Sequence, residues 1–309
     1  MKRLVAIVGP TGIGKSRLAL RLAEKFHGEI VGADSRQVYR FMDIGTAKPT
    51  PQELGAVPHH LIDIIDPDEE FSLAQYLDLA RKTIDDIFQR GNVPFLVGGT
   101  GLYIKALLEG FQPPGVSPDT HFRYNREKEA GEKNSDALYN ELVAADPDAA
   151  AKIDRRNVRR AIRALEVHAR AGKAFSRLGR KEPPAFSYLV IGLTTDRTAL
   201  YRIVDRRVDE MFSQGFIREV ENLQNRGYDP GLPSLSGIGY RQAGQFLRGE
   251  ISLEEAKRKM KTETHRFIRH QYAWFRRDDS EIHWFDAERQ PDAGIEKMLL
   301  EFLGVNRKV

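Results

Sequence analysis

Near its start the chain runs Leu4-Val5-Ala6-Ile7-Val8, then Gly9-Pro10-Thr11-Gly12-Ile13-Gly14-Lys15-Ser16. A segment follows in which Leu18, Leu22 and Phe26 recur at helical spacing, with Ala19 and Ala23 beside them. A short apolar strand, a glycine-rich turn and an amphipathic helix in that order predict the opening unit of a parallel sheet. In a Gly-x4-Gly-Lys-Ser loop the glycines let backbone N–H groups turn inward, at the positive end of the next helix. Lys15 adds a mobile cation, and the Ser16 hydroxyl offers a ligand to Mg²⁺. Residues Gly9 to Ser16 are therefore expected to hold a chain of phosphates. Position in the chain does not say whose.

Further strand-like segments share this pattern. Glu29-Ile30-Val31-Gly32-Ala33 runs into Asp34-Ser35, and His60 to Pro67 reads as a strand or the approach to one. Phe71 to Arg90 carries Leu73, Leu77, Ala80, Ile84 and Ile87 on one helical face, and Val93 to Val97 is a buried strand ending in Gly98-Gly99-Thr100-Gly101. The predicted class is α/β, a P-loop parallel sheet flanked by helices. The prolines at 113, 114 and 118, and again at 183 and 184, bracket a charged, helical stretch with no evident strand. The expected division is a first core segment at 1–115, a helical insertion at 116–186 and a returning core segment at 187–309. In the last, Tyr188 to Leu193 is a strand and everything from about Thr198 is helical.

Composition closes off several chemistries. The 309-residue chain has room for about two domains and holds no cysteine, which removes disulfides, thiolate zinc sites and a thiol nucleophile. No apolar run approaches the ~20 residues of a membrane helix, so a cytoplasmic protein with no membrane partner is expected, and a monomer. Net charge is only +4, yet residues 151–180 carry ten Lys/Arg against two Asp/Glu, and residues 255–277 carry eight against two. An acidic body with two basic stretches suits a polyanion larger than one diphosphate. In the first stretch Val158, Ile162, Leu165 and Ala169 form one helical face. Arg156, Arg159, Arg160, Arg163 and Arg170 crowd the other, where only Glu166 is at hand to answer them. The second stretch interleaves bases with His265, Phe267, His270, Tyr272, Trp274 and Phe275, a pattern that serves RNA binding and core packing equally.

Ligands of open parallel sheets sit beyond the carboxyl ends of the strands, so Lys15, Asp34 and Thr100 should converge on one cleft. An NTP hydrolase would place an acid at the end of an apolar strand to help hold Mg²⁺, but Pro94-Phe95-Leu96-Val97 runs into Gly-Gly-Thr. A phosphorylated leaving group facing a nucleophile that must lose a proton fits better. Position alone leaves Asp34 open as helix cap, Mg²⁺ ligand or general base, and Thr100 as helix cap or substrate contact.

Four stretches together resemble the tRNA dimethylallyltransferase family: Gly-Pro-Thr-Gly-Ile-Gly-Lys-Ser at 9–16, Ala-Asp-Ser-Arg-Gln-Val-Tyr at 33–39, Val-Gly-Gly-Thr-Gly-Leu-Tyr at 97–103 and Asn-Val-Arg-Arg-Ala-Ile-Arg-Ala-Leu-Glu at 157–166. The resemblance implies transfer of a dimethylallyl group from dimethylallyl diphosphate to N6 of the adenosine just 3′ of a tRNA anticodon. The phosphates would then be those of the prenyl donor. It implies that Gly9, Pro10, Thr11, Gly12, Ile13, Gly14, Lys15 and Ser16 cradle the diphosphate, with Mg²⁺ at Ser16. Asp34 would take the N6 proton, Thr100 would orient the amine and Arg123 would reach into the reaction channel. Asp34, Ser35, Arg36 and Gln37 would meet the target nucleotide and its neighbours, and Arg159, Arg160, Ala161, Ile162 and Arg163 would grip the anticodon stem-loop. The family's Arg-Gln-x-Thr-Trp reads His270-Gln271-Tyr272-Ala273-Trp274 here, and no role follows from it. An adenylate isopentenyltransferase, a P-loop nucleotide kinase and an RNA-binding ATPase switch are the rival readings. The first has no use for the arginine face, the second lacks its strand-end acid and the third leaves Asp34 and Thr100 idle.

Overall fold

The structure is a computed structural model and describes residues 2–133, 135–178, 180–289 and 292–304. In chain order the first elements are β1 (Arg3–Val8), α1 (Lys15–Lys25), β2 (Gly28–Ala33), α2 (Pro51–Ala56), β3 (His59–His60), α3 (Leu73–Gln89), β4 (Val93–Gly98) and α4 (Gly101–Leu108). Next come β5 (Phe111–Gln112), α5 (Thr120–Lys133), α6 (Ser135–Ala145), α7 (Pro147–Ala150), α8 (Val158–Ala171) and β6 (Arg180–Lys181). The chain finishes with β7 (Ser187–Thr194), α9 (Arg197–Ser213), α10 (Phe216–Asn225), α11 (Tyr240–Leu247), α12 (Leu253–Trp274), β8 (Ile282–Asp286) and α13 (Asp292–Leu303). Two compact units result, one of residues 1–108 with 184–309 and one of Glu109–Pro183.

In the first unit six strands pair in the order β3-β2-β4-β1-β7-β8, every neighbour parallel. Ala6 at the centre of β1 lies between Leu96 of β4 and Val190 of β7. Both faces of β1 are buried, which is why it reads as an unbroken apolar run instead of alternating. On one face Val5, Ile7, Phe95, Val97 and Ile191 pack against Leu18 and Leu22 of α1, Ile268 of α12 and Ile295 and Leu299 of α13. Helix α3 starts where the sequence provides a cap. The Ser72 hydroxyl accepts from the Gln75 N–H, and the Gln75 side chain accepts from the Ser72 N–H. A second apolar cluster joins Val38, Tyr39 and Met42, from the loop after β2, to Val208, Met211, Phe216, Val220 and Tyr240 of α9 to α11. That cluster holds the Asp34–Lys48 loop down.

Two expectations need correcting. The region after Thr198 is not all helical, because Ile282–Asp286 adds the edge strand β8 beside β7. Its alternation is blurred by His283 and Trp284, and an edge strand needs only one well-buried face. The insertion is not free of strand either: Phe111–Gln112 pairs antiparallel with Arg180–Lys181, and the Glu182 N–H closes onto the Gly110 carbonyl. This short ladder ties the two ends of the insertion together. The compact unit therefore spans Glu109–Pro183, against the expected 116–186. Between His60 and Pro67 only His60 is strand; Leu61 and Asp63 have positive φ and end the ladder at once.

The second unit has its own core, in which Leu138 and Leu142 of α6, Ala149 and Ala150 of α7, and Ala161, Ile162 and Leu165 of α8 come together. Asn157 caps α8 by accepting from the Arg160 N–H, and Gly172 ends it at φ +61°.

Candidate active site

The phosphate loop, the end of β2 and the end of β4 meet through hydrogen bonds within the first unit. The Ser35 N–H donates to Thr100 Oγ1 at 3.0 Å, and the Thr100 hydroxyl lies 3.3 Å from Ser35 Oγ. The Thr100 N–H donates to the Ala33 carbonyl at 3.1 Å. Lys15 feels the charge of Asp34, so the cation of the loop and the strand-end carboxylate share one local field. Gly12, at φ +79°, turns the loop where a Cβ would sit 2.5 Å from Val204 Cγ1 of α9. Expected neighbours in the sequence reading, Lys15, Asp34 and Thr100, thus lie along one edge of the sheet.

Electrostatics separate the roles of these groups. Burial pushes Lys15 down to about 8, opposed by the Asp34 carboxylate and reinforced by the Arg207 cation. The Lys15 ammonium donates to the Pro10 carbonyl at 2.9 Å, arching back across the loop. Asp34 Oδ1 accepts from the Arg36 N–H at 2.8 Å, which fixes the carboxyl orientation and leaves Oδ2 without a hydrogen-bond partner among the described residues. Ser16 is exposed at the start of α1, and its hydroxyl likewise has no partner among the described residues. No group of three or more His, Cys, Asp or Glu capable of holding a metal occurs among them. Ser16 still fits Mg²⁺, because that ion commonly takes one or two protein oxygens and completes its shell with substrate phosphates and water.

The side chains after Asp34 are occupied in holding their own loop. The Arg36 guanidinium donates to the Pro233 and Ser234 carbonyls at 2.7 and 2.8 Å, and Gln37 Nε2 to the Thr46 and Ala47 carbonyls at 3.0 and 3.1 Å. The Glu219 carboxylate accepts from three successive N–H groups, those of Asp43, Ile44 and Gly45, and from the Tyr240 hydroxyl at 2.6 Å.

Three residues that sequence reasoning passed over belong to this edge. Arg207 of α9 is partly buried, is drawn toward the Asp34 charge, and has no hydrogen-bond partner among the described residues. Gln271 of α12 is 3% exposed and bonds both the phosphate loop and the turn after β4. Glu219 anchors the loop after β2. A signal was present for the first two: Arg207 follows Val204 by one turn, and Gln271 lies between Ile268 and Phe275, so each is a polar residue placed on an apolar helical face.

The 257–277 stretch resolves into inward and outward parts. His265 pairs with Asp205 at 2.8 Å and stacks on Tyr201, Arg277 donates to Thr194 Oγ1 at 2.7 Å, and Phe275 is buried. Phe267, His270 and Trp274 are exposed. Packing therefore accounts for about half of what looked like an undivided basic and aromatic tract.

In the second unit the arginine face of α8 is less bare than its own sequence implies. Arg163 is clamped to Glu166 and to the Val116 carbonyl, Arg156 pairs with Asp154, Arg159 with Glu127 and Arg170 with Asp119. Acids from other elements supply what the helix lacks. Arg160 is exposed and has no side-chain partner among the described residues. Ala161 and Ile162 are buried in the unit's core, so their side chains are withheld from any partner. Arg123 grips the fully buried Glu166 carboxylate with Nε at 3.0 Å and Nη2 at 2.9 Å. Those hydrogen bonds from Arg123 and Arg163 outweigh burial and hold Glu166 below the usual carboxylate range.

The chain is similar to known proteins over most of its length. A family model described as IPP transferase matches residues 37–278, and one described as isopentenyl transferase matches residues 2–63. The tRNA dimethylallyltransferase of Roseiflexus sp. is 54% identical over 89% of this chain and 90% of its own. That of Dehalococcoides mccartyi is 49% identical over 97% and 92%. Among solved structures, the tRNA isopentenylpyrophosphate transferase of Bacillus halodurans is 40% identical with a TM-score of 0.73, covering 98% of this chain and 97% of its own. A eukaryotic dimethylallyltransferase captured acting on tRNA is 28% identical with a TM-score of 0.79, covering 97% of this chain and 78% of its own.

Proposed function

This chain belongs to the tRNA dimethylallyltransferase family, and from that premise we propose that it moves the dimethylallyl group of dimethylallyl diphosphate onto N6 of the adenosine 3′-adjacent to a tRNA anticodon. The observation that carries this reading is the sheet edge where two cations, Lys15 of the phosphate loop and Arg207 of α9, share a site with a fixed carboxylate and the Thr100 hydroxyl. Two cations suit a leaving diphosphate, and a carboxylate with a free oxygen suits a nucleophile that must shed a proton.

The backbone amides of the loop other than those of Thr11 and Ile13, together with Lys15 and Arg207, hold the diphosphate and stabilise the charge that collects on it as the C1–O bond lengthens. Ser16 would hold Mg²⁺, which would supply further charge neutralisation at the leaving group. Adenine N6 approaches C1 from the opposite side. Thr100 Oγ1, already held by the Ser35 N–H, accepts from one N6 hydrogen and orients the lone pair. Asp34 removes the proton that N6 gives up as the C–N bond forms. The exposed arginines of the second unit, Arg160 foremost, hold the RNA phosphates; an adenine must be turned out of its stack to react, so a separate grip on the stem-loop is needed. Adenylate prenylation gives that face no purpose, and a kinase would want an acid where β4 ends in glycine.

The test is a single-turnover assay with Mg²⁺, radiolabelled dimethylallyl diphosphate and either an unmodified anticodon stem-loop or AMP. Label on the RNA adenine alone supports the reading. Label on AMP moves the chain to the adenylate class, and ATP consumption without transfer overturns the reading.

A further inference from the structure

Gln271 spans two parts of the active site with one side chain. Its Oε1 accepts from the Thr11 N–H at 2.8 Å, and its Nε2 donates to the Gly99 carbonyl at 3.0 Å. The orientation of the amide is unambiguous, because Thr11 offers only a donor and Gly99 only an acceptor at these contacts. Thr11 belongs to the loop that holds the leaving group; Gly99 immediately precedes Thr100, which is bonded to Ser35. The side chain cannot adapt: it is 3% exposed, and Ile268, one turn before it in α12, and Phe275, the residue that caps the helix, are buried. The approach is close enough that a Cβ on Gly99 would lie 2.5 Å from Nε2.

We propose that Gln271 is a positioning residue that sets the separation between the phosphate loop and the turn carrying Thr100, and through them the alignment of the breaking C–O bond with the attacking N6. This rests on the prenyl-transfer reading above. Only a neutral amide does the task. A carboxylate could accept from Thr11 but would repel the Gly99 carbonyl and the diphosphate, an ammonium could not accept at all, and a thioether would accept only weakly from Thr11 and donate nothing to Gly99. Because the Thr11 N–H is already occupied, Gln271 acts on where the substrates sit more than on how tightly they are held. A displacement of about 1 Å in such an arrangement costs on the order of 100-fold in rate.

The experiment compares wild type with Gln271→Met, Gly99→Ala and the double variant, measuring kcat, the KM for dimethylallyl diphosphate, stem-loop Kd and thermal midpoint. Gly99→Ala crowds Nε2 without altering Gln271 chemically, so it supplies a second route to the same contact if Gln271→Met folds poorly. The expected result is a fall in kcat of about 100-fold for each single variant, with KM and stem-loop Kd within about threefold of wild type. The double variant should be no slower than the slower single one, since both break the same tie. Unchanged kcat, losses confined to KM, or losses that multiply in the double variant would overturn the proposal. If wild type itself transfers no label to RNA, it is the prenyl-transfer reading that fails, and the two failures are told apart by that control.

Discussion

The two units carry their positive charge in opposite ways. In the first, charge is concentrated and sheltered: Lys15 and Arg207 are both lowered by burial, and each feels Asp34. In the second, charge is spread along the exposed side of α8, and much of it is already answered by acids, as with Arg156–Asp154 and Arg159–Glu127. Sheltered cations interact strongly with a ligand that enters their low-dielectric site, whereas exposed ones act through released counterions and are screened by salt. The first arrangement suits chemistry on one small group, and the second suits reversible attachment to a long polyanion. Variants of the two units should therefore fail in different observables.

Asp34→Asn should show the largest effect. The amide keeps an oxygen for the Arg36 N–H but cannot take a proton, so single-turnover transfer should fall about 10³-fold, within the usual range for removing a general base. Stem-loop affinity, measured by filter binding, should stay within about threefold. A variant that transfers at the wild-type rate would remove Asp34 from the chemistry and leave it a structural residue.

This site was only partly legible in the sequence, and the division follows from range. Gly9–Ser16, Asp34 and Thr100 announce themselves because each sits in a short segment whose neighbours dictate its position at a strand end. Gln271 and Arg207 act on the same edge from helices far along the chain, and only tertiary packing brings them there. Their trace in the sequence is a polar residue on an apolar helical face, which by itself marks burial and not a partner. The α8 arginines failed in the opposite direction. Periodicity placed them on one face correctly, but the acids that neutralise them, Glu127 and Asp119, lie on or beside α5. For the fold, the buried strands β1, β2, β4 and β7 were readable from continuous apolar runs. The edge strand β8 and the two-residue β5 and β6 were not, because strands that short or that open have no periodic signature.

The next effect in size is a pH dependence from Lys15. Its ammonium has a value near 8, so the free enzyme loses this cation as pH rises through that point. The kcat/KM for dimethylallyl diphosphate should be level from neutral pH to about 8 and fall by about tenfold per pH unit above it, because the deprotonated lysine no longer attracts the diphosphate. Bound diphosphate favours the charged form, so kcat should hold to higher pH. Asp34 supports the Lys15 charge, so in Asp34→Asn the break should move below 8. A break that stays in place would mean that Lys15 and Asp34 are less coupled than their shared edge implies.

The smallest effect decides whether intramolecular ion pairs discount the charge on α8. Arg160 is exposed without a side-chain partner among the described residues, and Arg156 is also exposed but bound to Asp154 at 3.0 Å. Arg160→Ala should weaken stem-loop binding several-fold and reduce the slope of log K against log salt by about one unit, with kcat at saturating RNA unchanged. Arg156→Ala should reduce that slope by less than half as much, since part of its charge is already neutralised and Asp154 is freed to repel phosphate. Arg163 is a poor probe, because removing it also strips a partner from the buried Glu166 and would cost stability. Equal slopes for Arg156→Ala and Arg160→Ala would mean that Asp154 lets go when RNA arrives, so that the full arginine face, and not its unpaired remainder, makes the grip.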